Sequence, residues 1–355
     1  MKKQEKDLFF ALCRFRDARL DPELLDYATP HVLGLLFFNR MQGIAYSVLR
    51  RNGLLGRVNR EFRNSLRGAY EQNLQKNRSF SQCVRELSHM LADMPCRVAM
   101  LKGAYLTSAY PEGCRTSNDI DLLVSPRDVS DVGRMLSENG FRQGNIRNGV
   151  FVPADRQEIV ASRMLRGETV PYIKRVGLAV MEFLEVDLIF SLDYKNGDGA
   201  ALESMLGSVE RRGAGEFAVP TLCATDFLIH LCCHLYKEAT TLPWVEMKRD
   251  MTLYKYADIY MLTDGMSAKE IGRLFARARE LSLSPACGFA VLQTAALFDI
   301  ENPTLLDAAR EAVASDPDVL HRVLSPSEGK SYLYTVRDLK RRFFAEDRRN
   351  GLTVE

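Results

Sequence analysis

The segment LKGAYLTSAYPEGCRTSNDIDLLV, residues 101–124, carries the densest chemical pattern in the chain. Its last six residues, DIDLLV, are typical of a short apolar β-strand, with Asp119 and Asp121 separated by one residue. Because side chains alternate across a strand, both carboxylates should point to one face, while Ile120 and Leu122 point into the core. Two adjacent carboxylates repel each other, and a divalent cation between them removes that cost. The pattern therefore predicts a metal site.

A second acidic strand is predicted in EFLEVDLIF, residues 182–190. Asp187 lies between Val186 and Leu188, which anchor the strand while the carboxylate faces outward. Asp187 is therefore the predicted third ligand, because three carboxylates with open positions suit Mg²⁺ and the phosphates it binds. Two such ions can clamp the attacking and leaving oxygens of a phosphoryl displacement. Glu185 shares the strand face of Asp187 and is a candidate general base.

Lys102 and Gly103 stand at a predicted turn between an apolar strand, residues 96–101, and a short helix that ends near Tyr110. A Lys-Gly turn offers a cation and a close backbone approach, which favour a triphosphate. Most Asp-x-Asp pairs are surface carboxylates or helix caps. Here the Lys-Gly turn, the carboxylate pair and the later Asp187 occur together, and this combination favours catalysis over a surface role.

These residues resemble the bacterial uncharacterised nucleotidyltransferase group within the polymerase-beta-type nucleotidyltransferase superfamily, whose members carry an LKG…R…DIDLLV signature. The matching residues here are Leu101-Lys102-Gly103, Arg115 and Ser117-Asn118-Asp119-Ile120-Asp121-Leu122-Leu123-Val124. The resemblance continues through VDLIFSL (186–192), HLCCHLYKEA (230–239) and DMTLYKYADIYML (250–262). Lys102 and Gly103 occupy the place where the wider superfamily has Gly-Ser, and the spacer to Asp119 is longer than in that superfamily.

The resemblance implies an α/β fold: a small mixed-sheet, polymerase-beta-like nucleotidyltransferase core flanked by helices. It implies transfer of a nucleoside monophosphate from an NTP, with ATP among the candidates, to an acceptor, with pyrophosphate leaving. Asp119, Asp121 and Asp187 would hold two Mg²⁺ ions, with Mn²⁺ as a substitute. The residues it implies for substrate binding are Lys102, Gly103, Arg115, Ser117, Asn118, His234 and Lys237.

The pattern along the chain predicts a helical N-terminal region at 1–95, a nucleotidyltransferase core at 96–200 and a helical C-terminal region at 201–355. A long helix should run from about Arg57 to Met94, where Pro95 ends it. Residues 141–152 form a polar, glycine-rich stretch with no predicted element. The C-terminal region should contain helices throughout, the last over 331–347.

Composition sets further limits on the class of protein. The 355 residues are 46% hydrophobic and 26% charged, which excludes a mostly disordered chain. The net charge of +2 argues against a dedicated nucleic-acid coat or a polybasic membrane binder. Eight scattered cysteines without a Cys-x-x-Cys pair indicate reduced thiols. With no signal-peptide core and a buried-helix interpretation of residues 281–298, the sequence predicts a cytoplasmic protein without a membrane span.

Residues 50–67 contain six arginines and one acid, Glu61. Arg57, Arg60 and Arg67 should fall on one helical stripe, which could bind RNA or another polyanion or could be a solvated face. The acceptor stays open between a small molecule, RNA and a protein. The alternatives to the leading prediction are a toxin-like or regulatory enzyme acting on RNA or protein, a natural-product tailoring enzyme, and a nucleotide-binding protein without catalysis.

Overall fold

The computed structural model describes residues 1–16, 19–165, 167–192 and 199–355. The chain forms two compact units: one contains Met1–Tyr70 and Leu228–Glu355, and the other contains Glu71–Phe227. The three-region division at residues 95 and 200 stays a prediction from the sequence.

The α-helices are Lys3–Cys13 (α1), Pro30–Phe38 (α2), Gln42–Arg51 (α3), Arg60–Ala92 (α4), Gly103–Ala109 (α5), Val129–Glu138 (α6), Arg156–Leu165 (α7), Ala200–Leu206 (α8), Ala224–Ala239 (α9), Leu242–Glu246 (α10), Leu253–Thr263 (α11), Ala268–Glu280 (α12), Ser284–Phe298 (α13), Pro303–Ala312 (α14) and Leu339–Phe343 (α15). The β-strands are Val98–Met100 (β1), Asp119–Val124 (β2), Arg142–Arg147 (β3), Val150–Pro153 (β4), Tyr172–Leu178 (β5), Met181–Ile189 (β6), Val209–Ala214 (β7), Phe217–Leu222 (β8), Arg322–Ser325 (β9), Lys330–Tyr334 (β10) and Leu352–Val354 (β11).

The unit Glu71–Phe227 is built on a six-stranded sheet in the order β1-β2-β6-β5-β3-β4. Strands β2 and β6 are parallel, whereas the other neighbouring pairs are antiparallel. The sheet is therefore mixed, and the α/β fold class predicted from the sequence is confirmed. Strands β7 and β8 form a separate two-stranded hairpin.

The core of this unit lies against one face of β2 and β6. Ile120, Leu122, Val186 and Leu188 have no solvent exposure, as strand alternation predicts. They belong to one apolar cluster with Phe80 and other side chains of α4 and α6. Burying these residues fixes the register of both strands, because a slip by one residue would turn every carboxylate into the core.

Several strands of this unit were not predicted from the sequence. Residues 141–152 contain β3, RQGNIR, which is mostly polar, and most of β4, VFVP, which is apolar but only four residues long. Both strands are largely exposed or half-exposed, so no apolar alternation marks them. The signal that could have found them is Asn148-Gly149, the turn between the two strands. Both residues have positive φ, 51° and 75°, as a two-residue hairpin of this type requires.

The unit made from both chain ends is mostly helical, with a three-stranded sheet in the order β11-β10-β9. The predicted helix over 331–347 is wrong in its first part, since KSYLY forms the central strand β10 and only Leu339–Phe343 is helical. The helix expected from Arg57 begins at Arg60, and Arg57 lies in the preceding turn. Among the described residues, no helix has the length and apolar character needed to cross a membrane.

Candidate active site

Two parallel strands bring the predicted carboxylates together. In the register of β2 and β6, Asp121 pairs with Asp187 and Asp119 pairs with Glu185. Neighbouring strands of a sheet lie about 4.8 Å apart, so the two residues of each pair are direct neighbours across the two strands. The strand face opposite the apolar core therefore carries four acidic side chains in two rows.

Lys102 provides a cation beside this face. It precedes α5 directly, and its Nζ lies 2.9 Å from Oδ1 of Asp121, forming an ion pair with a carboxylate that is only 6% exposed. Its backbone has φ 44° and ψ −117°, a conformation that non-glycine residues rarely adopt. Such strain persists only where the surrounding structure enforces it, and it is concentrated at functional sites.

Gly103 allows the turn to pack tightly against the loop before β2. A Cβ built on Gly103 would lie 2.2 Å from Oγ and 2.4 Å from Cβ of Ser117. The same Ser117 hydroxyl donates a hydrogen bond of 2.9 Å to Oδ1 of Asp119. Gly103 is thus required for close packing, and Ser117 orients one carboxylate of the pair.

The electrostatics of the site are dominated by carboxylate crowding. Burial, together with the charges of Asp121, Asp119 and Glu168, raises the pKa of Asp187 well above its usual value. Burial also raises the pKa of Asp121, although the Lys102 ammonium opposes this rise. Burial and Asp119 likewise raise the pKa of Glu185. Each raised pKa indicates that the fold places carboxylates close together with too few positive charges to neutralise them.

Glu168 is a member of this cluster that the sequence did not reveal. Its charge raises the pKa of both Asp121 and Asp187. Its backbone is fixed by an antiparallel bridge to Ile189, at the end of β6, and the neighbouring Phe190 N–H donates to the Gly167 carbonyl at 2.9 Å. No motif surrounds Glu168 in the sequence, so only strand pairing could have identified it.

Carboxylate oxygens are the donors that Mg²⁺ prefers. Within the described residues, the Asp187 side chain has no hydrogen-bond or ion-pair partner, so its oxygens are available as ligands. As the side chains stand, no three His, Cys, Asp or Glu residues in the described part of the chain are grouped so as to hold a metal. In this arrangement the Asp121 carboxylate accepts a hydrogen bond from Lys102, and the Asp119 carboxylate accepts one from Ser117. The donor types fit Mg²⁺, and Asp119, Asp121 and Asp187 are the residues that would hold it.

The other residues predicted for substrate binding are placed as follows. Arg115 is buried and donates to the Thr116 carbonyl of its own loop. Asn118 is exposed, and its side-chain oxygen accepts a hydrogen bond from Lys76. His234 and Lys237 lie on α9, in residues assigned to the other compact unit, where His234 is 3.6 Å from Glu238. Roles of these residues in binding substrate stay predictions.

Comparison with known proteins gives a family match and a solved structure with a related description. The model of the family described as uncharacterised nucleotidyltransferase matches residues 29–299. Among solved structures, an antigenic nucleotidyltransferase-like protein from Paracoccidioides brasiliensis is 14% identical, with a TM-score of 0.33 over 57% of this chain and 90% of that chain. No curated protein matches the chain. Because the family model covers most of the chain, the protein belongs to the uncharacterised nucleotidyltransferase family.

Proposed function

We propose that this protein is a Mg²⁺-dependent nucleotidyltransferase that moves a nucleoside monophosphate from an NTP to an acceptor and releases pyrophosphate. The observation that carries the proposal is the parallel register of Asp121 with Asp187, beside Asp119 and the Lys102 ammonium. Asp187 has no ion pair of its own within the described residues, and burial with the neighbouring carboxylates raises its pKa, a combination that is more frequent at functional sites than in structural ion pairs. Membership of the nucleotidyltransferase family supports the same reaction class.

In this proposal Asp119, Asp121 and Asp187 hold two Mg²⁺ ions, with Mn²⁺ as a substitute. The ions would neutralise the carboxylates and the charge of the triphosphate. Lys102 stands 2.9 Å from Asp121 in the present structure, and its ammonium serves as a counter-charge there. Lys102 would exchange this carboxylate for the triphosphate of a bound NTP, since both partners are anionic.

The transfer step requires an acceptor hydroxyl or phosphate oxygen aligned with the α-phosphorus. The new bond joins that oxygen to phosphorus, while the bond between phosphorus and the pyrophosphate oxygen breaks. Glu185, whose pKa is raised by burial and by Asp119, is suited to accept the proton of an acceptor hydroxyl. The remaining carboxylates position the reactants.

The acceptor can be a small molecule, an RNA or a protein. Arg57, Arg60 and Arg67 are exposed, which is compatible with a polyanionic acceptor. Reversing the charge of all three to Glu should weaken RNA binding in a gel-shift assay at low salt. Unchanged RNA affinity would remove RNA contact by these three arginines from the proposal.

The transferase proposal is tested by incubating the full chain with α-labelled NTPs, Mg²⁺ and a cell extract, and then identifying the labelled product by mass spectrometry. Asp119→Asn and Asp121→Asn should abolish labelling, whereas Glu182→Gln, an exposed carboxylate paired with Arg175, should retain it. Labelling that survives both Asp variants would refute the assigned mechanism. Binding of NTP with no transfer to any component would instead favour a nucleotide-binding protein without catalysis.

A further inference from the structure

The unit formed from both chain ends contains a cavity of about 450 Å³ that the transferase proposal does not use. Its walls come from α1 and the following Arg14, from α15 and the following Phe344, and from Leu24 and Asp299. Five cationic and two acidic side chains line it, a net charge of +3. The cationic ones are Lys3, Lys6, Arg14, Lys340 and Arg341.

The N-terminal helix contributes one complete face to this cavity. Lys3, Lys6, Asp7, Phe10 and Arg14 follow the spacing of residues that share one side of a helix or its immediate C-terminal end. The opposite side carries fully buried apolar residues such as Leu8 and Leu12. The cationic face is therefore held in a fixed orientation by the packing behind it.

Aromatic rings form the apolar wall of the cavity. The rings of Phe10 and Phe344 have centroids 5.5 Å apart. Lys6 Nζ lies 5.0 Å from the centroid of Phe344, and Lys340 Nζ lies 5.3 Å from that of Phe10. Cation–π contacts of this kind hold the stems of both lysines against the wall while their N–H groups remain donors.

The cavity has more cationic side chains than carboxylates that can pair with them. Asp299 accepts from Lys340 at 2.6 Å and also pairs with Arg14. Arg14 Nε is buried and has no acceptor among the described residues. Burial, together with the charge of Arg14, lowers the pKa of Lys340, although Asp7 and Asp338 oppose this. Lys3, Lys6 and Arg341 make no ion pair within the described part of the chain.

We infer that this cavity is a binding site for a small phosphorylated anion bearing two or more negative charges. Arg and Lys side chains converge from two helices, as phosphate recognition requires. The volume lies within the range of small-molecule sites. A bound dianion would accept hydrogen bonds from Lys3, Lys6 and Arg341 and would offset most of the net charge.

The test uses inorganic pyrophosphate as the probe, with the full chain in EDTA, so that a metal-dependent site at the carboxylates cannot contribute. Isothermal titration calorimetry should detect binding to the wild type. The double variant Lys3→Gln/Arg341→Gln, which changes two exposed side chains, should bind at least about tenfold more weakly, the effect of losing roughly 1.4 kcal/mol of charge-assisted contacts. The matched control is Lys269→Gln/Lys330→Gln, two exposed lysines that do not line the cavity, and it should bind like the wild type.

Any of three results would overturn the inference. The first is the absence of calorimetric binding by the wild type at millimolar pyrophosphate, and the second is equal affinities for the cavity variant and its control. The third is binding of single-stranded RNA or heparin without binding of pyrophosphate, because that outcome indicates an extended polyanion surface instead of a small-ligand site. Because EDTA removes the metal and the varied residues lie outside the carboxylate cluster, failure of the transferase proposal would not affect this result.

Discussion

Replacing Asp187 with Asn should stabilise the protein while abolishing the nucleotide transfer that we propose for it. Asp187 is held against Asp121 and Asp119 without an ion pair of its own, and its pKa is raised well above the usual value by burial and by these charges. Two carboxylates about 5 Å apart repel each other by about 3 kcal/mol at an effective dielectric constant of about 20. Lys102 offsets part of this repulsion through Asp121. We therefore expect a gain of about 1–3 kcal/mol in the free energy of unfolding at pH 7.

Differential scanning calorimetry in EDTA measures this gain. A stabilisation of about 1–3 kcal/mol should raise the Tm by roughly 2–12 °C, since about 2–4 °C per kcal/mol is typical of domains with 150–250 residues. The pH dependence follows from the direction of the shift. Because the folded pKa of Asp187 lies above the unfolded value of about 3.9, the wild type loses stability as pH rises between the two values. The difference in Tm between Asp187→Asn and wild type should thus be largest at neutral pH and shrink towards pH 4.

Adding Mg²⁺ or Mn²⁺ should reduce the Tm difference between Asp187→Asn and the wild type. A cation that binds the folded carboxylates stabilises the wild type, whereas the variant lacks one of the ligands. The matched control is Glu182→Gln on the same strand, where the carboxylate is exposed and paired with Arg175 at 2.5 Å. Its Tm should change little, since exposed ion pairs contribute about 0–1 kcal/mol. A lower Tm for Asp187→Asn, or a Tm difference that does not vary with pH, would refute the repulsion argument.

Four further substitutions address the turn and a buried ion pair. Lys102→Gly and Lys102→Ala both remove the ion pair, but the glycine variant should unfold with a free energy about 1 kcal/mol higher in urea titrations, because it relieves the positive φ. Gly103→Ala should destabilise by about 1–3 kcal/mol, because its Cβ would overlap Ser117. Asp250→Asn should cost about 3–5 kcal/mol by chemical denaturation, since Arg348, which contacts both carboxylate oxygens from a buried position, would lose its counter-charge.

Controls exist for each of these substitutions. Gly68→Ala lies within α4 with open space around its Cβ position and should be neutral or stabilise by up to about 1 kcal/mol, unlike Gly103→Ala. Asp307→Asn breaks an exposed pair with Arg310 and should have little effect, unlike Asp250→Asn. Equal stabilities of the two Lys102 variants would show that the positive φ carries no strain.

The sequence by itself determined the local elements of the site. The alternation in DIDLLV and in EVDLI identifies two strands with carboxylates on one face, because the apolar partners Ile120, Leu122, Val186 and Leu188 can only be buried together. The helix α5, the long helix α4 and the mixed α/β class also follow from apolar spacing and helix punctuation. The Lys-Gly pair before the acidic strand is visible as a motif.

Only the tertiary structure decided which charges meet. The pairing of Asp121 with Asp187 depends on β2 and β6 being parallel neighbours, a property that no local pattern encodes. Glu168 enters the site because its backbone pairs with the end of β6, and nothing in its own sequence neighbourhood marks it. The cationic cavity likewise combines α1 with α15, from opposite ends of the chain. Hydrophobic periodicity specifies each strand or helix, whereas the charge of a site depends on long-range pairing that periodicity does not contain.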